Sequence, residues 1–308
     1  MRILNIHDIN CLQKRSAVTV GMFDGVHVGH RSLVAHLLRL ADERGLEPLV
    51  VTFDRHPRQV LHPGDAPALL TTTEERLSLL EACGVRTVVM VPFDEATASL
   101  SACHFASRFL VERLRMKLLL LGYDNQFGSR TNNDFDRLET LAAEQDFELL
   151  RDEAVYRGDT AVSSTQIRKA LMAGDMERAN AMLGMPYTLI GKVVHGRQVG
   201  TSMGFPTANV VLDDAQKLLP ATGVYAMLVE LEGRRYVAMG NLGAQPTFGL
   251  QQWTLEVHLF DFSGDLYGKM LKVAFVKRMR NIRSFASPDL LVAQLKSDRE
   301  QVSKIVVL

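Results

Sequence analysis

The sequence predicts an α/β domain with a parallel sheet, followed by an antiparallel β-barrel that is closed by a helix. Three observations support this. Apolar runs alternate with helical patterns up to residue 152, short alternating strands replace them after residue 185, and one amphipathic helix ends the chain. The 308 residues suit two domains of ordinary size. We place the boundary near residue 185, which gives domains 1–185 and 186–308.

The N-terminal domain contains five apolar, strand-like runs, which are 17–23, 48–53, 86–93, 117–123 and 147–152. Helical patterns separate them and follow them, at 31–44, 73–83, 101–115, 134–145, 163–173 and 175–183. Strands buried on both faces and joined by helices form parallel sheets, in which ligands bind beyond the carboxyl ends of the strands. The loops after the first and fourth strands should therefore meet at one crevice.

The C-terminal domain lacks helices until residue 288. Its predicted strands are 187–194, 223–230, 235–239, 253–261 and 272–276, with glycine-rich turns between them. The segment 288–305 then places Leu290, Leu291, Leu295 and Val302 on one apolar stripe. These features indicate an antiparallel barrel with a closing helix.

The composition excludes several classes of protein. Lys and Arg together number 35, as do Asp and Glu. We therefore expect no overall positive electrostatic field that would attract nucleic acid, and no nucleic-acid partner. Three widely spaced cysteines argue against a disulfide framework or a CxxC metal knuckle. The sequence shows neither a leader pattern nor an apolar run of membrane-spanning length. We expect a cytoplasmic protein that does not bind membranes.

The most informative segment is 18–30, in which a strand leads through glycines into two histidines at a helix start. Free N–H groups at the helix start attract an anion, and His27 and His30 can donate hydrogen bonds to phosphoryl oxygens. A glycine-rich turn with two incidental histidines is the alternative, and a zinc site is weaker because nearby Cys or carboxylate ligands are missing. We expect Asp24 to orient this loop through backbone hydrogen bonds.

The segment 163–168 places hydroxyl side chains at a helix start and Arg168 one turn later. This arrangement could hold a leaving pyrophosphate, whereas an ordinary N-cap with a solvated arginine is an equal alternative on the segment alone. Ser163 and Gln166 also match a capping box. Gly174 is expected to end this helix, and Gly184 is expected to end the next helix, 175–183.

The barrel sequence contains no P-loop motif, but GFPTAN at 204–209 offers other phosphate chemistry. Gly204 permits close backbone approach, Pro206 stiffens the turn, and Thr207 and Asn209 offer hard oxygens that suit Mg²⁺. In the strand 255–260, alternation places Glu256, His258 and Phe260 on one face. A carboxylate there could act as a general base, although a solvated polar face is favoured on the strand pattern alone.

These motifs together resemble a known family. The string GxFDGxHxGH at 21–30, with TFDRHP at 52–57, GYDNQFG at 122–128 and SSTQIRKAL at 163–171, resembles the FAD synthetase branch of the nucleotidyltransferases. Beyond residue 186, GFPTAN, GVY at 223–225, NLGAQPTF at 241–248 and LEVHLFDFSGDLYG at 255–268 resemble riboflavin kinase. The chain is similar to the bacterial bifunctional riboflavin kinase/FAD synthetase family over about 20–300.

The resemblance implies a Rossmann-like nucleotidyltransferase domain and a riboflavin kinase barrel. Riboflavin would be phosphorylated to FMN, and FMN would then receive AMP from ATP, with Mg²⁺ or another divalent cation and no tightly bound prosthetic group. It implies that His27, His30 and Glu256 are catalytic, with Glu256 as the base. The implied site for ATP in the first domain comprises Gly21, Phe23, Asp24, Gly25, Gly29, Ser163, Ser164, Thr165 and Arg168. The implied contacts to flavin or nucleotide are Asp124, Asn125 and Phe127. The implied site for the kinase substrates comprises Gly204, Pro206, Thr207 and Asn209.

The sequence departs from the family pattern at two places. Asn125 and Gln126 stand where the family has an aromatic or basic pair, and Thr201 stands where it has an arginine, with Arg197 upstream as a substitute. The second departure leaves open a monofunctional FAD synthetase whose barrel is a degenerate, flavin-binding module. A nucleic-acid-binding descendant of the HxGH fold is opposed by the zero net charge.

Overall fold

The computed structural model describes residues 1–123, 134–196, 200, 203–212, 216–247 and 250–306. These residues fall into two structural units, Met1–Ser164 and Thr165–Leu308. The division lies upstream of residue 185, so the boundary we placed there stays a prediction. Each unit is described separately below.

The first unit has a parallel sheet with helices between its strands. Its elements in chain order are β1 (Arg2–Asn5), β2 (Ser16–Val20), α1 (Val28–Glu43), β3 (Glu47–Phe53), α2 (Pro57–Leu61), α3 (Thr73–Ala82), β4 (Thr87–Val91), α4 (Glu95–Ala98), α5 (Ala102–Phe105), a π-helical turn (Ala106–Val111), β5 (Met116–Leu121), α6 (Asp134–Gln145), β6 (Glu148–Arg151), β7 (Tyr156–Arg157) and β8 (Thr160–Ala161). All five predicted strands are present.

The strand order in the sheet is β1-β4-β3-β2-β5-β6, and every pairing is parallel. The chain winds from β2 towards one edge and then returns to β5 on the other side of β2. Val18 in β2 accordingly pairs with Leu49 of β3 and with Leu119 of β5. This reversal is the point at which open α/β sheets bind ligands, so the loop after β2 opens onto the expected crevice.

Apolar clusters on both faces of the sheet bury β2 completely, which explains its continuous run of small and β-branched residues. One structural detail differs from the prediction. Helix α1 begins at Val28 rather than at Arg31, and His27 is its N-cap. His30 therefore lies within the first turn of α1, because the imidazole of His27 replaces the usual hydroxyl or carboxylate cap.

The second unit contains two helices, a barrel and a last helix. Its elements are α7 (Ser164–Ala173, which starts at the last residue of the first unit), α8 (Met176–Leu183), β9 (Tyr187–Val194), β10 (Ala208–Leu212), β11 (Gly223–Leu231), β12 (Arg234–Thr247), β13 (Leu250–Leu259), β14 (Met270–Arg280) and α9 (Pro288–Ile305). Both α7 and α8 end at glycines with positive φ, Gly174 and Gly184, as the sequence predicts.

The six antiparallel strands close in the order β10-β13-β12-β11-β14-β9. The predicted barrel is therefore confirmed, although the sequence did not identify β10. Helix α8 packs on this barrel through Asn180. Its Nδ2 donates to the carbonyl of Phe275 at 2.9 Å, and its Oδ1 accepts from the N–H of Tyr187 at 2.8 Å. These bonds explain why α8 groups with the barrel.

Helix α9 covers part of the outer face of the barrel. Its Val302 lies in an apolar cluster with Phe205, Met239 and Phe260. In β13, Leu255, Val257 and Leu259 are buried, as strand alternation predicts. The opposite face of β13 is not uniformly exposed, because His258 is buried, as is Phe260 directly after the strand. Only tertiary packing accounts for this.

Candidate active sites

The loop between β2 and α1 holds an unusual backbone conformation. Phe23 has φ 52°, Gly25 has φ 83° and Val26 has φ 37°. Positive φ is costly for a bulky or β-branched residue and concentrates at functional sites. The buried ring of Phe23 packs closely against Gly21, where an added Cβ would lie 3.1 Å from that ring. The loop glycines therefore provide close packing as well as turns.

Asp24 anchors this loop to the segment before α3. Its carboxylate accepts hydrogen bonds from the N–H of Leu70 at 3.0 Å, and from the N–H and hydroxyl of Thr71 at 2.9 and 3.0 Å. Thr71 in turn accepts from the N–H of Gly25 at 2.9 Å, and the carbonyl of Asp24 accepts from Ser164 Oγ at 3.0 Å. The side chain is 2% exposed, so it holds the loop through protein contacts.

His27 and His30 lie face to face at the start of α1. Their ring centroids are 3.6 Å apart, with an interplanar angle of 15°. His27 Nδ1 accepts a hydrogen bond from the N–H of His30 at 3.3 Å. In a neutral imidazole the proton must then sit on Nε2, which is a donor. Gly29 lets the backbone lie close to the His27 ring, since an added Cβ would lie 3.2 Å from it.

The electrostatics of His30 favour a neutral ring. Burial, and secondly the neighbouring His27, hold the pKa of His30 well below its ordinary value. Within the described residues, the buried Nδ1 of His30 has no hydrogen-bond partner. The first turn of α1 contains no acidic residue, so nothing there opposes an anion at the positive end of the helix. The arrangement suits phosphoryl oxygens.

The segment 163–168 is divided between the two structural units, and its first two residues belong to the same unit as the histidine loop. Ser164 belongs to the first unit and donates to Asp24, whereas Thr165 and Arg168 belong to the second unit. Helix α7 begins at Ser164, so Arg168 lies about one turn along it, as predicted. The predicted capping box of Ser163 stays a prediction.

Arg76 is a buried group beside the loop that sequence analysis did not single out. Its Nη2 donates to the carbonyl of Phe53 at 2.6 Å and its Nη1 to Met22 Sδ at 3.5 Å. Burial lowers its pKa, and the charge of Asp24 partly opposes that shift. The signal in the sequence was the spacing from Arg76 to the buried Leu80, which places both on one face of α3.

In the barrel, three polar residues share one row across adjacent strands. Glu256 of β13 is directly opposite Asn209 of β10 on one side and Asn241 of β12 on the other. Opposite residues in antiparallel pairs project from the same face with Cβ atoms about 4.5–5.5 Å apart. Leu255 and Val257 point to the other, buried face, so the polar row lies on the outer surface of the barrel.

Glycines shape the backbone around Asn209. A Cβ added to Gly196 would lie 1.9 Å from Asn209 Nδ2, and one added to Gly200 would overlap the carbonyl of Phe205. The N–H of Phe205 donates to the carbonyl of Gly200 at 2.9 Å, which folds the GFPTAN segment back on itself. Gly204 has φ 79°, as its predicted role in a close turn requires.

His258 supports the same turn. Its Nδ1–H donates to the carbonyl of Pro206 at 2.7 Å, and its Nε2 is buried with no partner within the described residues. Burial lowers the pKa of His258, and its ring lies beside those of Phe205 and Phe260. A neutral ring held in this way positions the turn.

Several predicted site residues lie outside the described residues. These are Asp124, Asn125, Phe127, Arg197 and Thr201. Within the described ranges, no cluster of three His, Cys, Asp or Glu side chains could hold a metal ion, and no helix is long and apolar enough to cross a membrane. Within the described residues, Cys11, Cys83 and Cys103 form no disulfide.

Neutral donors at a helix start suit transfer of a nucleotide phosphate, and a carboxylate in an amide row suits activation of a hydroxyl acceptor. Fold and sites together define a class of two-domain, nucleotide-dependent transferases. Family models agree with this class. The FAD synthetase model matches residues 10–166, and the riboflavin kinase model matches residues 183–306.

Curated relatives match both domains at once. The bifunctional riboflavin kinase/FMN adenylyltransferase of Escherichia coli K12 is 38% identical over 298 residues, covering 96% of this chain and 95% of the relative. The protein of the same name from Haemophilus influenzae is 36% identical, covering 97% and 96%. The chain belongs to the family of bifunctional riboflavin kinase/FMN adenylyltransferases.

One solved structure shares the whole fold. A crystal structure described as a macrolide-efflux protein from Streptococcus pneumoniae has a TM-score of 0.89 and 33% sequence identity to this chain. The match covers 98% of this chain and 99% of that one. The similarity therefore extends over both units.

Proposed function

We propose that the chain transfers AMP from ATP to FMN at the loop between β2 and α1, and phosphorylates riboflavin at the Asn209–Glu256–Asn241 row. Family membership supports both reactions. Bifunctional relatives match nearly the full length of the chain, which favours two active domains over a single FAD synthetase activity with a degenerate barrel.

The proposal for adenylyl transfer is supported chiefly by the stacked rings of His27 and His30. A phosphate oxygen of FMN attacks the α-phosphorus of ATP, and the bond to the departing pyrophosphate breaks. His27 donates from Nε2, because its Nδ1 is already an acceptor, and His30 remains neutral through burial. Fixed donors aimed at developing charge lower the barrier of such a step. Ser163, Ser164, Thr165 and Arg168 are proposed to bind pyrophosphate on the family resemblance alone.

The kinase assignment is supported chiefly by the position of Glu256, which lies between two amide residues on adjacent strands. Its carboxylate takes the proton from the terminal hydroxyl of riboflavin while that oxygen attacks the γ-phosphorus of ATP, and ADP departs as its bond to the γ-phosphorus breaks. His258 holds the GFPTAN turn and is not the base, since one ring nitrogen bonds Pro206 and the other is buried.

Thr207 and Asn209 fit a magnesium ion that binds with ATP. Gly196 leaves room for the amide of Asn209, and Gly200 leaves room for the carbonyl of Phe205. Mg²⁺ commonly takes few protein oxygens and completes its shell with phosphates and water, so a dense acidic cluster is not required. When bound, the ion would neutralise charge on the phosphates of ATP.

The remaining assignments follow from composition. The balanced charges support small-molecule substrates and oppose a nucleic-acid partner. The odd number of cysteines, with no disulfide within the described residues, supports a reducing, cytoplasmic location. Asp124, Asn125 and Phe127 are proposed to contact flavin or nucleotide on the family resemblance alone.

Product analysis tests the function directly. The full-length chain is incubated with riboflavin and ATP, and flavins are separated by chromatography. We expect FMN and then FAD, with both reactions stopping when a chelator removes divalent cations and resuming with Mg²⁺. FAD from added FMN, without any FMN from riboflavin, would contradict the kinase assignment and support the monofunctional alternative.

A further inference from the structure

The side chain of Asn241 has an unmet hydrogen-bonding requirement. Its Oδ1 is buried and has no donor within the described residues. A buried carbonyl oxygen without a donor is energetically costly, so proteins rarely retain one without a reason. Asn241 begins the motif NLGAQPTF in β12, and sequence analysis assigned it no role.

The described neighbours of Asn241 on the outer face do not supply the donor, and the nearby hydroxyl of Thr254 donates to the carbonyl of Gly243 instead. Across the strands it faces Val224 on one side and Glu256 on the other. Along β12 the same face carries Met239, which is buried in the cluster with α9, and Gly243, which has no side chain. Apolar groups donate nothing, and an ionised carboxylate only accepts. Among the described residues this oxygen is therefore available to accept a hydrogen bond from an N–H or O–H group of a ligand.

The position of Asn241 indicates which ligand this is. Asn209 and the GFPTAN turn lie on one side of Glu256, and Asn241 lies on the other. In the proposed kinase reaction the first side holds ATP and the cation, which leaves the Asn241 side to the phosphoryl acceptor. Phosphate oxygens of ATP offer no proton at neutral pH, whereas the acceptor is a polyol chain with several O–H donors.

We propose that Asn241 binds the ribityl chain of riboflavin by accepting a hydrogen bond from a secondary hydroxyl, next to the terminal hydroxyl that Glu256 deprotonates. This inference rests on the proposed kinase site. The bond fixes the chain so that its terminal oxygen meets the carboxylate, which makes Asn241 a determinant of specificity for the flavin polyol.

Kinetics of Asn241→Leu in the full-length chain test the proposal. Leucine has a similar shape but cannot accept the bond. We expect the KM for riboflavin to rise about fivefold, the effect of one neutral hydrogen bond. The KM for ATP and the Mg²⁺ requirement should stay within about twofold, and added FMN should still become FAD. Riboflavin analogues that each lack one secondary hydroxyl identify the contacted group. For one of these analogues, the KM should be the same in the variant and in the parent chain.

Thr254→Val is the matched control on the same outer face, because its hydroxyl already donates to the carbonyl of Gly243 at 3.4 Å. Its KM for riboflavin should stay within about twofold. Asn241→Asp guards against misfolding, since it keeps the acceptor. It should retain riboflavin binding and move the pH profile of kcat to higher pH through repulsion with Glu256.

Three results would overturn the proposal: an unchanged KM for riboflavin in Asn241→Leu, a loss expressed instead in ATP or Mg²⁺ dependence, or an equal loss with every analogue. Failure of the base assignment is a separate outcome. It would appear as full kcat in Glu256→Gln while the effect of Asn241→Leu on riboflavin persisted.

Discussion

The two sites are built in opposite ways. In the first unit, His27 and His30 stand on a loop and a helix start, and the loop keeps positive φ at Phe23 and Val26 because Asp24 ties it to a neighbouring segment. In the barrel, Glu256 stands on a strand whose neighbours on both sides are fixed by register.

This difference separates local from non-local information. The histidine site is nearly continuous in sequence, so its motif is visible in one short segment. The barrel row joins residues that are far apart in the chain, and only strand pairing makes them neighbours. Variants should therefore separate the two reactions, and the following predictions run from the largest expected effect to the smallest.

Glu256→Gln should have the largest effect. It keeps the size of the side chain but removes the base, so kcat for FMN formation should fall by about 10²–10⁴ while riboflavin still binds. Steady-state kinetics with riboflavin measure this loss, and FMN supplied from outside should still become FAD.

His258→Gln is the control for Glu256→Gln. We expect a smaller loss of kcat, because His258 acts on the turn at Pro206. A Glu256→Gln variant within about threefold of the parent, together with an inactive His258→Gln, would move the base to His258.

His27→Ala and His30→Ala should each reduce FAD formation from FMN by roughly 10² or more, the scale of one lost transition-state donor. FMN formation should survive. His36→Gln is a matched control on the same helix, since His36 pairs with Asp152 at 2.9 Å. Folded histidine variants with near-normal FAD synthesis would exclude both rings from the mechanism.

A matched pair of glycine substitutions compares the two sites by sterics alone. Gly196→Ala must displace Asn209, so kinase activity should fall by roughly 10–10². Gly29→Ala crowds the His27 ring by only a few tenths of an ångström, and FAD formation should fall by less than about tenfold. Each substitution should spare the other reaction. Equal effects on both reactions would contradict two separate sites.

The smallest effect concerns pH and stability. Burial lowers the pKa of both His30 and His258, so the unfolded chain takes up these protons first as pH falls. The free energy of unfolding should therefore decrease as pH drops through about 6.5, by at most about 1.4 kcal/mol per pH unit for each histidine.

Denaturant unfolding at a series of pH values measures this decrease. His258→Phe should flatten it, and the exposed His7→Gln should leave it unchanged. A slope that was the same in His258→Phe and the parent chain would show that His258 does not contribute.

Sequence patterns predicted much of this molecule. Runs such as 117–123 gave the strands of the parallel sheet, and Gly174 and Gly184 marked helix ends. The short β10 was missed because its five residues carry a weak pattern next to the GFPTAN turn. The start of α1 was placed too late because a histidine cap is uncommon.

The sequence by itself determined the family, the two-domain organisation and the contiguous histidine motif, since these depend on local pattern and motif order. Only the tertiary structure decided that the Asp24 carboxylate accepts hydrogen bonds from Leu70 and Thr71. It also decided that burial lowers the pKa of His30. It also placed Asn241 beside Glu256. Burial and strand register are properties of the folded chain, because they arise from segments that are distant in sequence.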